Sequence, residues 1–86
     1  MLQETIEITN KTGLHARPAS MFVKKANTFT SKVMLVKDTH EIDAKSMISL
    51  LTLGAAKGDT IIIKVDGSDE KEAIKELVSL LQNFQD

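Results

Sequence analysis

The spacing of apolar residues changes abruptly near the start of this chain, and that change most constrains its fold. Residues 5–9 alternate apolar and polar side chains, which is the two-residue period of a half-buried β-strand. From residue 16 to about residue 28, apolar positions instead recur three, four and seven residues apart, as in an amphipathic helix, at Ala19, Phe22, Val23 and Ala26. Residues 10–14, which include Gly13, separate the two patterns. The chain therefore predicts a strand, a tight turn and a helix in succession.

The rest of the chain carries three further strand patterns and two further helix patterns. Strands are predicted over residues 32–37, 40–43 and 60–65, with turns at 38–39 and 66–67. A short helix over 47–53 is predicted to begin after Ser46 as its N-cap and to end at Gly54. Ser68 is predicted to cap a last helix, which begins with acidic residues and buries Ile74, Leu77, Val78 and Leu81.

The order of these elements, β-α-β-β-α-β-α, predicts the fold class. Helical connections join the first strand to the second and the third strand to the fourth, and a hairpin joins the second to the third. We therefore expect an α+β domain of two layers, in which helices cover one face of a four-stranded, mainly antiparallel sheet. The order of the strands within the sheet does not follow from these local patterns.

Size and composition narrow the classes of function. With 86 residues, we expect a single domain over residues 1–86. There is no Cys, which excludes disulfides and thiolate chemistry, and the net charge of −1 argues against direct binding of nucleic acid. No leader segment and no apolar run of roughly 20 residues is found, so we expect a cytoplasmic protein without membrane insertion. In so short a chain, chemistry is expected on an exposed face that a partner completes.

His15 is the strongest candidate for a reactive residue. It stands where the first strand-and-turn segment meets the first helix, and the free N–H groups and the dipole of a helix start favour an anion there. Arg17 adds a permanently charged donor for phosphate oxygens. These residues predict a phosphorylatable histidine rather than a metal site. The alternatives are a capping or merely exposed histidine and a solvated arginine.

A second group of residues predicts a docking surface. Met47, Ile48 and Leu51 share a short helix with Leu50 and Leu53, and the five span roughly 220° of the helical wheel, which exceeds one core-facing stripe. Leu50 and Leu53 are predicted to fill the core, which leaves the other three partly exposed for a protein contact or covered by a loop. Lys24 lies seven residues beyond Arg17 on the first helix, where it either steers an acidic partner or is simply solvated.

Ser46 and His40 each have two interpretations. As an N-cap, Ser46 accepts a backbone N–H bond, whereas as a phosphorylation site it would place about −1.5 to −2 charges at a helix start. His40 lies beside acidic residues that lack the spacing of zinc ligands and is interpreted as a surface residue. The glycines match no phosphate-binding loop. Neither a metal nor a cofactor is predicted.

The whole chain resembles the HPr family, the histidine-containing phosphocarriers of the bacterial phosphoenolpyruvate:sugar phosphotransferase system. The resemblance is carried by Thr12-Gly13-Leu14-His15-Ala16-Arg17-Pro18-Ala19, Lys45-Ser46, Leu53-Gly54 and Val65-Asp66-Gly67. It implies an open-faced β-sandwich of four antiparallel strands and three helices. It also implies that His15 accepts a phosphoryl group on Nδ1 from phosphorylated enzyme I and passes it to the A component of a sugar permease, with Arg17 stabilising the group in transit.

The same resemblance implies a regulatory role for Ser46. In members of the Gram-positive type, an HPr kinase/phosphorylase modifies this serine, which weakens docking with enzyme I and allows binding to a catabolite-control transcription regulator. The flank Ser46-Met47-Ile48-Ser49 departs from the Ile-Met-Gly that follows the serine in many such members. His15 argues against Crh, a related regulator that lacks the histidine. A mainly regulatory module and a nitrogen-type paralogue stay open as alternatives, and a monomer is expected.

Overall fold

The computed structural model describes residues 1–84. In that part of the chain it contains four strands and three helices, in the predicted order β-α-β-β-α-β-α. They are β1 (Leu2–Glu7), α1 (Ala16–Ala26), β2 (Lys32–Lys37), β3 (His40–Asp43), α2 (Met47–Leu53), β4 (Thr60–Asp66) and α3 (Glu70–Gln82). None of these helices is long and apolar enough to span a bilayer.

The four strands form one sheet in the order β1-β4-β2-β3, and every neighbouring pair is antiparallel. In the register, Ile61 of β4 lies opposite Ile6 of β1, and Ile63 of β4 lies opposite Leu35 of β2. The last strand in sequence thus lies between the first and the second. This placement makes α1 and α2 the two crossover connections and keeps the β2–β3 hairpin at one edge.

The core lies between one face of the sheet and the three helices. Along β4, Ile61, Ile63 and Val65 are fully buried, whereas the residues between them are only partly buried on the opposite face. The helices contribute Phe22, Leu50 and Leu77, which are also fully buried. Burial of such aliphatic and aromatic side chains is the main source of stability in a chain without disulfides. The predicted fold class is confirmed.

The bounds of two elements, β1 and α1, differ from the sequence prediction, and the structure shows why. Residues 2–4 belong to β1 because they pair with β4, although their own pattern does not alternate, and regular pairing ends where Glu7 meets Thr60. The first helix ends at Ala26 rather than near residue 28, because polar side chains bond its last carbonyls. The Asn27 side-chain amide donates to Val23 O at 2.9 Å, and the Thr28 hydroxyl donates to Lys25 O at 2.7 Å.

The prediction that Ser68 caps the last helix is wrong. The N-cap position is Asp69, and its side chain makes no capping bond to α3. Its carboxylate instead accepts the N–H groups of Thr30 and Ser31 at 2.9 and 3.0 Å, and also the Ser31 hydroxyl. Asp69 therefore fastens the start of α3 to the segment that leads into β2. Within α3, Ala73 is fully buried, whereas Ile74 is only partly buried against the core.

Asp69→Asn is expected to lower the midpoint of urea unfolding. The Asp69 carboxylate accepts three hydrogen bonds from Thr30 and Ser31, which join the start of α3 to the segment before β2. The Ser31 hydroxyl, followed by the N–H groups of Thr30 and Ser31, lowers the pKa of Asp69 from 3.8 to about 2. A lowered pKa stabilises the fold above the ordinary pKa, and this contribution is lost as the pH falls through the folded value. The difference in urea midpoint between the wild type and the variant should therefore shrink between about pH 4 and pH 2.

Glu7→Gln, which changes a carboxylate at an exposed strand position, is the control for this measurement. A constant difference over that range would contradict the assignment.

Candidate functional site

A tight turn over residues 10–14 places His15 at the start of α1. The buried Asn10 donates its side-chain amide to Gly13 O at 2.7 Å, and Gly13 N–H donates to Asn10 O at 3.2 Å. The next residue, Leu14, is buried, and its N–H donates to Ala55 O at 2.9 Å. The turn is thus closed on itself and bonded to the segment that follows α2, so the residue after Leu14 is held in a fixed place.

Gly13 allows the turn to lie against that segment. Its φ of +66° is in the left-handed region, and a Cβ added there would lie 2.5 Å from Ala55 O and 2.7 Å from Ala56 Cα. Both atoms belong to the backbone and cannot rotate away. Glycine is therefore required at this position for its conformation and also for its lack of a side chain.

His15 occupies the N-cap of α1 and is exposed. Its backbone is extended, with φ −79° and ψ −172°, and its side chain makes no capping bond to the helix. The carbonyl of His15 accepts the N–H of Ala19 at 2.9 Å, which is the first bond of the helical ladder. The N–H groups of Ala16 and Arg17 precede that bond and have no acceptor within the helix, and Pro18 has no N–H. Two backbone donors and the positive end of the helix dipole therefore lie beside the histidine.

A cavity of about 340 Å³ lies at this helix start. Its lining includes His15, Arg17 and Met21 from the turn and α1, together with Asn83 and Phe84 after α3. Asn83 and Phe84 were missed by the sequence analysis, because they lie beyond the periodic part of the last helix and some 68 residues from His15 in the chain. Phe84 is half-buried and packs against the core, and its side chain lines one side of the cavity.

The apolar surface of α2 is arranged as its wide apolar arc predicts. Leu50 and Leu53 are buried in the core. Ile48 is 79% exposed and Leu51 is 43% exposed, while Met47 is half-buried. The prediction of partial exposure for these three residues is confirmed. We call Met47, Ile48 and Leu51 the α2 patch.

The basic side chains of α1 differ in what they contact. Lys25 Nζ lies 2.6 Å from Glu76 Oε1 of α3, so the charge of Lys25 is paired within the chain. Lys24 and Arg17 are exposed, and the first turn of α1 contains no acidic residue. The positive charge presented by this helix therefore comes from Arg17 near its start and Lys24 near its end.

Ser46 serves as the N-cap of α2, as predicted. Its hydroxyl accepts the N–H of Ser49 at 3.3 Å, and its carbonyl accepts the N–H of Leu50 at 3.0 Å. The helix ends at Gly54, whose φ of +65° is the left-handed conformation typical of a helix C-terminus. Ser46 as a whole is half-buried in this position. His40 is exposed at the start of β3, and residues 1–84 contain no cluster of three acidic or histidine side chains that could hold a metal ion.

Comparisons with known proteins agree on one family. The family model for PTS-HPr, described as the PTS HPr component phosphorylation site, matches residues 2–83. The phosphocarrier protein HPr of Neisseria meningitidis is 42% identical over 84 residues, covering 98% of this chain and 94% of that protein. The HPr-like protein Crh of Bacillus subtilis is 43% identical over 82 residues, covering 95% of this chain and 96% of that protein.

Solved structures give the same result for the fold. The crystal structure of HPr from Thermoanaerobacter tengcongensis superimposes with a TM-score of 0.93 at 46% identity, covering 95% of this chain and 92% of that chain. A crystal structure of Bacillus subtilis Crh, described as a swapped dimer, gives a TM-score of 0.77 at 43% identity, covering 95% of this chain and 94% of that chain. The expected monomer stays a prediction for this chain, since a relative forms a dimer.

Gly13→Ala is expected to destabilise the fold more than Gly54→Ala does. The two glycines have nearly the same φ, +66° and +65°, so each substitution costs about 1–2 kcal/mol of left-handed strain. Only at Gly13 does the added Cβ overlap backbone, at 2.5 Å, whereas at Gly54 the nearest atom is 3.9 Å away. The overlap should add at least about 1 kcal/mol. Urea unfolding of both variants measures the difference, and equal losses would show that the turn does not depend on this close approach.

Proposed function

This chain belongs to the HPr family of phosphocarrier proteins, and on that premise we propose that His15 carries the phosphoryl group. It accepts the group from phosphorylated enzyme I, which phosphoenolpyruvate charges, and passes it to the A component of a sugar permease. The observation that carries the proposal is the exposed position of His15 at the N-cap of α1. An exposed histidine can meet one partner after another, which a carrier requires.

The chemistry is a displacement at phosphorus. A lone pair of the neutral imidazole, at Nδ1 by analogy with the family, forms the new P–N bond while the bond to the donor breaks. Phosphoryl transfer passes through a loose, highly charged transition state, so position and positive charge contribute most. The N–H groups of Ala16 and Arg17 and the helix dipole supply partial positive charge beside His15. The Arg17 guanidinium supplies a full charge and two parallel donors for phosphate oxygens.

The α2 patch is the surface on which we expect the partners to dock. Ile48 and Leu51 expose apolar area that the fold itself leaves uncovered. The helix that carries His15 packs against α2 and presents Arg17 and Lys24. A partner surface that is apolar at its centre and acidic at its rim fits this arrangement. Lys24 would then act mainly on the rate of encounter, because exposed charges steer association more than they strengthen it.

A second role, regulation through Ser46, is favoured by the similarity to Crh as well as to HPr. Ser46 is the N-cap of α2 and is followed directly by the α2 patch. A phosphate there is tolerated by the helix start and adds about −1.5 to −2 charges beside the docking surface. We propose that HPr kinase/phosphorylase makes this modification, which repels phosphorylated enzyme I and favours a catabolite-control transcription regulator. A mainly regulatory module and a nitrogen-type paralogue are the alternatives to the sugar carrier.

We further propose that the chain acts in the cytoplasm as a monomeric single domain over residues 1–86, without direct contact with nucleic acid. A carrier must offer the same face to its donor and to its acceptor in turn. A stable dimer that covered α1 or α2 would block one of these steps.

His15→Ala is expected to abolish phosphate uptake from phosphoenolpyruvate and enzyme I. It should not unfold the domain, because His15 is exposed and lies outside the buried core. Intact-mass measurement reads the gain of one phosphate. His40→Ala is the matched control, since it removes the other exposed histidine and should leave uptake unchanged. If the His15 variant still gained one phosphate, the carrier assignment would be lost.

The same assay separates carrier from regulator. Phosphate on the carrier histidine is labile to acid, whereas phosphate on Ser46 is stable to it. If ATP and the kinase labelled Ser46 while phosphoenolpyruvate and enzyme I labelled nothing, the chain would be a regulatory module. Labelling of His15 by enzyme I and of Ser46 by the kinase would support both roles in one molecule.

Arg17→Ala is expected to slow phosphoryl transfer roughly 10- to 100-fold, the range expected when one charge-assisted contact to phosphate is lost. The melting temperature should change little, because Arg17 is exposed. Lys24→Ala, on the same helix, should instead raise the KM of enzyme I for this chain. The dependence of that KM on salt concentration should become weaker. A large loss of melting temperature with an unchanged transfer rate would show that Arg17 acts in folding and not in transfer.

A further inference from the structure

The turn that holds His15 rests on the loop between α2 and β4, residues 54–59. Leu14 N–H donates to Ala55 O at 2.9 Å, and Gly13 lies against the backbone of Ala55 and Ala56. Any movement of Ala55 would therefore move the turn and the residue that follows it. The question is what holds Ala55 in place, because it follows the helix end at Gly54 and precedes the strand.

The far end of the loop is held by the sheet. Gly58 N–H donates to Ile8 O at 2.8 Å, and Ile8 N–H donates to Asp59 O at 2.8 Å, so these bonds extend the β1–β4 pairing beyond the strands. Asp59 N–H donates to Ala56 O at 2.9 Å and closes a turn. These bonds fix the backbone of Asp59, while Ala55 lies four residues earlier, outside the ladder.

Lys37 and the side chain of Asp59 join the two ends of this loop. Lys37 is the last residue of β2, and its Nζ donates to Gly54 O at 3.2 Å and lies 3.1 Å from Asp59 Oδ2. The same Asp59 oxygen accepts the N–H of Ala56 at 2.8 Å. Gly54 and Ala56, the two neighbours of Ala55, are thus each bonded to one member of the ion pair.

We propose that Lys37 and Asp59 are a positioning pair for His15, which act by holding the Ala55 carbonyl on which the His15 turn is seated. Neither residue touches the phosphoryl group, so their effect reaches the reaction through Ala55 and Leu14. The kinetic part of this inference rests on the proposed function of His15. The structural part, the control of Leu14 by the ion pair, does not depend on it.

The lowered pKa of Asp59 agrees with this geometry. The N–H of Ala56 and then the ammonium of Lys37 lower the pKa of Asp59, so the carboxylate is ionised at neutral pH. The side chains are 23% and 34% exposed, and an isolated surface ion pair of this kind contributes little to stability. Here, however, each charged group also bonds a backbone group of one loop, so the pair restricts geometry more than it stabilises the whole fold.

The test compares two variants that break the pair with two that keep it or break another. Lys37→Met and Asp59→Asn each remove one charge and keep the side chain's bulk, whereas Lys37→Arg keeps the charge. Lys64→Met is the matched control, because Lys64 of β4 forms an ion pair with Glu41 of β3 at the same 3.1 Å between Nζ and Oε1. Amide hydrogen exchange at Leu14 reports directly on its bond to Ala55.

We expect the two pair-breaking variants to speed Leu14 exchange by roughly 10-fold, with exchange in β4 unchanged, because only a local opening is made easier. Transfer from phosphorylated enzyme I at saturation should fall by a similar factor, since small misplacements of a reacting group are costly, while KM should stay near the wild-type value. Lys37→Arg should restore both, and Lys64→Met should change neither.

Unchanged exchange at Leu14 in both pair-breaking variants would overturn the proposal, as would an equal effect from Lys64→Met. A change in KM alone would also overturn it, since it would mean that the pair acts in docking. If the wild-type chain took up no phosphate at His15, the proposed function would fail. Leu14 exchange would then decide by itself whether the pair holds the turn.

Discussion

The contact of Gly13 with the backbone of Ala55 and Ala56 is the constraint on which the site depends. A turn that carried any side chain at this position would have to stand away from the loop, because the nearest atoms are 2.5 and 2.7 Å from the place of a Cβ. The close approach brings Leu14 into hydrogen-bonding distance of Ala55 and buries its side chain. With Leu14 anchored, the next residue is His15, and helix α1 begins directly after it.

This arrangement gives the two modification candidates a common base. The loop that seats the His15 turn begins at Gly54, where the Ser46-capped helix ends. The position of His15 therefore depends on the position of α2, and α2 in turn presents the patch on which partners are proposed to dock. The charge presented by α1 also differs from the net charge of the chain. The chain as a whole carries −1, with 12 acidic and 11 basic side chains. Helix α1, however, contains no acidic residue, so its exposed charges, Arg17 and Lys24, are basic even though Lys25 is paired with Glu76. An acidic partner responds to this local field and not to the net charge.

Periodic burial made most of the fold predictable from sequence. Each helix and strand buries one face, so residues such as Phe22 and Leu77 recur at the spacing of their element, and the excess apolar arc of α2 correctly predicted exposed Ile48. The order β1-β4-β2-β3 was not predictable, because pairing of β4 between β1 and β2 depends on contacts distant in sequence. The cap of α3 was mispredicted for the same reason. Asp69 accepts hydrogen bonds from Thr30 and Ser31, which lie almost 40 residues away in the chain, and no local sequence pattern indicates these bonds.

The candidate site divides in the same way. His15, Arg17 and Ser46 are candidates from sequence alone because helix starts have local signals, whereas Phe84 lines the cavity through packing after α3 that no local pattern indicates. Similarity over the whole chain does not separate a carrier from a regulator, since identity is 42% to an HPr and 43% to a Crh. The difference lies in the chemistry of single positions on a shared scaffold. A capping serine serves folding whether or not it is modified, so its presence alone does not imply regulation. The side chain of His15 makes no capping bond to α1, so capping does not explain a histidine at this position. A phosphoryl-accepting role would account for a histidine at this N-cap, and our proposal therefore gives the carrier role before the regulatory one.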